Sequence, residues 1–127
     1  MQYMLLIYND PKLLGAIPNA EADSMMRECL DHADGLRQEG KLLESQMLEP
    51  AETAKAVRIR NGRPSVMDGP FSEAKEVLGG FNLIEADSIE EAIQIALKFP
   101  WAQTGCVEVR PVADIDAVRR RVTAGTP

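Results

Sequence analysis

Four side chains in this sequence are of a type, and in a setting, that could do chemistry: Asp68, His32, Glu108 and Arg110. Asp68 precedes Gly69-Pro70, a turn that would hold its carboxylate at a strand end. Raised in pKa by burial, it would serve as a general base or ligand anchor. An Asp before Gly also bonds backbone amides in an Asx-turn, so turn architecture stands beside catalysis as a reading. His32 falls on the flank of a helical apolar stripe, one turn after Glu28, whose carboxylate favours the imidazolium. It reads either as an auxiliary acid–base group or as a boundary residue satisfied by a neighbour. Glu108 and Arg110 alternate with Val107 and Val109, so on a strand the charged pair shares one face. Arginine grips carboxylates bidentately, and the pair would bind an anionic substrate or fix a subunit interface as an internal ion pair. The chemistry expected of this set is cofactor-free proton transfer on a small organic acid. In it Asp68 moves the proton, His32 assists, and Arg110 with Glu108 holds the anion.

The elements that must position these groups are read from periodicity. Met1 to Tyr8 predicts a strand with both faces apolar, Tyr3, Leu5 and Ile7 on one and Met4, Leu6 and Tyr8 on the other. Asn9 to Asn19, with Pro11, Gly15 and Pro18, reads as a loop. A helix is predicted from Ala20 to Glu39 on the spacing of Ala22, Met26, Cys29, Ala33 and Leu36, with Gly40 as its cap. Leu42-Leu43 opens a second strand. Lys55 to Arg60 and Arg63 to Met67 flank Asn61-Gly62, the pair best suited to a two-residue hairpin turn. Pro64 marks a sheet edge or a strand start. Ser72 to Leu78 reads as one or two helical turns ending at Gly79-Gly80, and Phe81 to Ala86 as a strand. Ser88 with Glu91 forms a capping box for a helix whose buried stripe is Ile89, Ala92, Ile93, Ala96 and Leu97. Gly105 to Arg110 is the last strand, and Asp114 caps a short final helix carrying Arg119, Arg120 and Arg121.

This order predicts one α+β domain over residues 1–127, with a core to about 112 and a short helix and tail from 113 to 127. The fold is ferredoxin-like, an antiparallel sheet with both helices on one face. The other, apolar face needs covering, which gives a homodimer, an α+β barrel, a physical motive.

Composition narrows the function. A formal charge of −6 over 127 residues argues against a direct nucleic-acid binder. No apolar run would span a membrane and no secretory signal pattern opens the chain, so a cytoplasmic protein is expected. Cys29, Cys106 and the single histidine do not make a zinc set, so neither metal nor cofactor is expected. The glycines lack phosphate-loop spacing.

Several strings together carry a family resemblance: Tyr3-Met4-Leu5-Leu6-Ile7-Tyr8, Asp68-Gly69-Pro70-Phe71, Glu73 with Lys75-Glu76, Gly79-Gly80-Phe81 and Glu108-Val109-Arg110-Pro111. From Tyr3 to Val112 the chain resembles the DGPF subgroup of YCII-related proteins. The resemblance implies a dimeric α+β barrel and leaves activity open. Some YCII relatives are dehydrochlorinases acting on chlorinated ring-cleavage acids, which implies lyase-like acid–base chemistry if the chain is an enzyme. Many DGPF proteins are gene neighbours of extracytoplasmic-function sigma factors, which implies a non-catalytic regulatory module as the alternative. YCII proteins often carry a helix histidine eleven residues before the terminal glycine. Here that position is Cys29, and His32 lies three residues later, so either residue could stand in for it.

Overall fold

Tyr3, Leu5 and Ile84 are almost wholly shielded from water, and the rest of the chain is arranged around them. The computed structural model describes residues 1–70 and 74–124. Along it run β1 (Gln2–Asn9), α1 (Pro11–Gly15), α2 (Asn19–Gln38), β2 (Leu42–Met47), β3 (Lys55–Arg60), β4 (Arg63–Asp68), β5 (Val77–Glu85), α3 (Ile89–Leu97), β6 (Gly105–Pro111) and α4 (Ile115–Ala124). Four strands form one antiparallel sheet in the order β2-β5-β1-β6, while among the described residues β3 and β4 pair with each other as a separate two-stranded sheet. The α+β, ferredoxin-like architecture is therefore as expected.

Both long helices pack on one face of this sheet. Ala33 and Leu36 of α2, with Ala92, Ile95 and Ala96 of α3, close over Tyr3, Leu5 and Ile84, and Phe99 fills the space after α3. Burial of such side chains at about 25 cal/mol per Å² supplies most of what holds the layers together. The caps are local. Gly40, at φ 74°, ends α2 and lets the Lys41 amide reach back 2.8 Å to the Leu36 carbonyl. Ser88 Oγ accepts from the Glu91 amide at 3.2 Å, and the Glu91 carboxylate accepts from the amide of Asp87 at 3.3 Å, one residue before the cap itself.

The opposite face of the sheet carries Met4, Leu6, Tyr8, Phe81 and Leu83, half-buried; among the described residues the long helices α2 and α3 lie on the other side. The β3–β4 hairpin turns through Asn61 at φ 53° and Gly62 at φ 74°, the two positive values a tight hairpin turn requires. It stands away from the sheet as a two-stranded arm.

Two segments differ from expectation. Within the predicted loop 9–19 lies α1, started by Pro11 at its first turn and capped by Asp10, whose Oδ1 accepts from the Lys12 amide at 2.9 Å. Val77 and Leu78, expected at the end of a helix, belong to β5, and the start of that expectation, Ser72 and Glu73, lies outside the described residues. Gly79 and Gly80 are mid-strand because the neighbours come too close for a side chain. A Cβ on Gly80 would lie 2.6 Å from the Gln46 carbonyl oxygen, and one on Gly79 would lie 2.1 Å from Asn9 Nδ2. No helix among the described residues is long and apolar enough to cross a membrane.

Candidate functional site

A cavity of about 570 Å³ opens between α2 and the β5–β2 side of the sheet. Its walls follow from the α2 stripe: Met25, Met26 and Ala33 face Ile7 of β1, and Trp101 closes one end. Its floor at Gly79 and Gly80 is backbone, because those two residues have nothing to project into it. Polar groups are few. Ser45 Oγ donates to Asn82 Oδ1, and Asn82 is buried. Asp34 and Arg37 line the cavity from exposed positions one turn apart on α2 and so mark its mouth, paired at 3.4 Å. The set is an apolar pocket with a few convergent polar groups, the usual form of a small-molecule site.

Cys29 is part of this wall. Trp101 Nε1 donates to its Sγ at 3.3 Å. Partial burial pushes the thiol's pKa above its ordinary value, against the smaller opposing effect of the indole donor, so at neutral pH the wall stays uncharged here.

The four residues singled out from the sequence are not brought together. His32 lies outside the cavity lining, between α2 and α3. Its Nε2 is 3.1 Å from the Ile95 carbonyl oxygen, which can only accept, so that nitrogen carries the proton. Its ring meets Phe99 edge-on, with centroids 4.3 Å apart. Asp68, at the base of the arm, is 86% exposed and ion-paired with Lys55. Glu108 and Arg110 do share a face, the open one, and are hydrogen-bonded to each other through Arg110 Nη2 and Nε. That bond, with the charge of Glu108, raises the Arg110 pKa further above its usual range. Cys29 thus sits in the cavity wall while His32 braces two helices. Among the described residues, no three His, Cys, Asp or Glu side chains are grouped as metal ligands.

Sequence reading passed over Arg37, Ser45, Asn82 and Trp101. A signal existed for two of them. Arg37 extends the stripe Met26, Leu30, Ala33 by one turn, and Asn82 is an amide on the core-facing side of a strand, where Ile84 follows it in the pattern. Asp10 was missed as well. It is a buried carboxylate, 3.8 Å from Lys75, next to the cavity residue Asn9.

Comparison with known proteins agrees with this architecture. The YCII-related domain model matches residues 1–116. An uncharacterized protein of Rhizobium meliloti (strain 1021) is 38% identical over 115 residues, covering 89% of this chain and 93% of that one. Among solved structures, the chain resembles 5-chloro-2-hydroxyhydroquinone dehydrochlorinase (TftG) from Burkholderia phenoliruptrix AC1100, in complex with 2,5-dihydroxybenzoquinone. The TM-score is 0.53 at 16% identity, over 89% of this chain and 94% of that one, a likeness of fold. On the match over residues 1–116, this chain belongs to the YCII-related family.

Proposed function

We propose that the chain binds a small organic acid in the cavity under α2 and acts on it by cofactor-free proton transfer. The carrying observation is the division of labour in the lining. Met25, Met26, Ile7 and Trp101 suit an apolar or aromatic body, and among the described residues the lining holds one guanidinium, Arg37, and one carboxylate, Asp34, both at the mouth. Arg37 would receive the ligand's anionic group, displacing Asp34 from its pair and freeing that carboxylate to take a proton. The Ser45–Asn82 pair would orient a polar substituent at depth. The ligand of the solved relative, a dihydroxybenzoquinone, is a flat acidic ring of the size and polarity this arrangement fits. The open sheet face, with Glu108 and Arg110, is covered by a second copy of the chain, and Asp68 and His32 act outside the cavity.

The test is a thermal-shift and calorimetric screen of aromatic carboxylates and hydroxyquinones. A ligand selective for the native state raises its melting temperature by mass action. Arg37→Ala should weaken the best ligand at least tenfold, about 1.4 kcal/mol, with Arg110→Ala as the comparison. Loss of binding on Arg110→Ala with none on Arg37→Ala would move the site to the open face.

A second reading, a regulatory interaction module serving an extracytoplasmic-function sigma factor, is favoured by one feature. The α4 helix exposes Ile115, Val118 and Val122 along one side. Co-purification of a stoichiometric partner that is lost on Val118→Asp, with no cavity ligand found, would favour it.

A further inference from the structure

Asn82 is a polar side chain set in an apolar row. On the helix-facing side of β5 it stands between Gly80 and Ile84, with Leu5 opposite it on β1, and it is 3% exposed. Sheet pairing places Ser45 of β2 directly across from it on the other side, and Ser45 Oγ donates to Asn82 Oδ1. That bond uses the hydroxyl proton and leaves the amide with its nitrogen turned the other way.

Among the described residues nothing accepts from Asn82 Nδ2. A buried amide without an acceptor is rare in folded proteins, because the nitrogen has given up water and gained nothing in return. Among the same residues, Thr104 Oγ1 is the fully enclosed side-chain polar atom that lacks a partner. Asn82 Nδ2 lacks one too and is therefore not fully enclosed. It reaches open space, and the open space that Asn82 borders is the cavity. Gly80, two residues back on the same face, adds no side chain to fill that space. Ile7, Ala22 and Ala33, which share the lining, have no side-chain acceptor to offer. Water can satisfy such a donor until a ligand atom replaces it, and only an acceptor replaces it without loss.

We propose that Asn82 is the specificity-determining residue of this cavity and selects oxo acids, ligands with a carboxylate at one end and a ketone or quinone oxygen at the other. This rests on the reading that Arg37 receives the anionic group at the mouth, and it states what the far end of the ligand must be. Nδ2 donates to the carbonyl oxygen at depth. A hydrocarbon group of the same shape leaves that nitrogen buried and unmatched, which is how a polar site rejects an analogue that an apolar site would accept.

The experiment titrates the whole chain calorimetrically with two matched pairs, 4-acetylbenzoate against 4-isopropenylbenzoate and 5-oxohexanoate against 5-methylhex-5-enoate. Within each pair C=O is exchanged for C=CH2 at nearly constant shape. The carbonyl member of at least one pair should bind roughly tenfold tighter. In nitrogen-15-labelled chain it should also shift the Asn82 side-chain amide signals, which its alkene partner leaves in place. Those signals decide in the wild-type chain alone, whether or not Asn82→Leu folds. In Asn82→Leu the preference should shrink to less than about threefold or reverse. Equal or tighter binding of the alkenes by the wild-type chain, still weakened by Arg37→Ala, would overturn the role of Asn82 and leave the reading of the mouth standing. A carbonyl preference undiminished in Asn82→Leu would overturn it as well, by assigning the donor elsewhere. Binding that Arg37→Ala does not weaken would remove both.

Discussion

The indole of Trp101 donates to the sulfur of Cys29 at 3.3 Å, tying the turn after α3 to the middle of α2 across the end of the cavity. The contact sets the chemistry of the wall. A half-buried thiol whose pKa lies above its ordinary value is a poor nucleophile and a good apolar surface.

It also makes stability depend on pH in one direction. The folded state holds the Cys29 proton more tightly than the unfolded state does. Its contribution is therefore complete below the ordinary thiol value of 9.0 and is lost as pH rises through the higher folded value. Cys29→Ala should flatten the fall in melting temperature above about pH 9. An identical slope in the variant would place that pH dependence elsewhere.

Two glycines separate close approach from mere flexibility. Gly80→Ala must push β5 off β2, because its Cβ would meet backbone at 2.6 Å, and a loss of roughly 2–3 kcal/mol in denaturant unfolding is expected. Gly35, inside α2, has open space where a Cβ would go. Gly35→Ala should add about 0.5–1 kcal/mol through helix propensity.

For His32 the expected role is mechanical. His32→Leu keeps much of the contact with Phe99 but removes one of two donors to the Ile95 carbonyl, which keeps the Lys98 amide at 3.3 Å, so the cost should be roughly 0.5–1.5 kcal/mol. Ligand affinity in the cavity should change less than threefold, about 0.6 kcal/mol. A collapse of turnover with stability intact would instead return His32 to the proton-transfer role suggested by its place beside Glu28.

Asp68→Asn removes one exposed ion pair, with Lys55, and should change stability by less than about 1 kcal/mol. Denaturant unfolding of the variant beside the wild-type chain checks it, and a loss of several kcal/mol would give the carboxylate a structural role in the turn instead.

Much of the scaffold could be read along the chain because its signals are local. Asn61-Gly62 has few conformations open to it other than a hairpin turn, Ser88 is followed at the right distance by Glu91, and Gly40 stops a helix that its stripe had already defined. The cavity could not be read the same way. Ser45 meets Asn82 and Cys29 meets Trp101 across 37 and 72 positions, so those pairs exist only once β2 has docked on β5 and the α3 turn on α2. Asp68 shows the same limit from the other side. Its turn was legible, but whether that turn sits in a pocket or in water depends on the arm, which the sheet does not hold.

The double glycine of β5 has a consequence for how this cavity could be altered. A hollow in a packed protein is commonly kept open by large groups held apart at its rim. Here room is made from beneath, where the strand slips by one residue between Ile7 and Tyr8 and two neighbouring positions contribute bare main chain. At Gly79 and Gly80 the cavity is bounded by peptide groups, while side chains make its walls. The depth of the pocket is thus written into strand registration, and redesigning its volume would mean resetting how β5 threads past its neighbours.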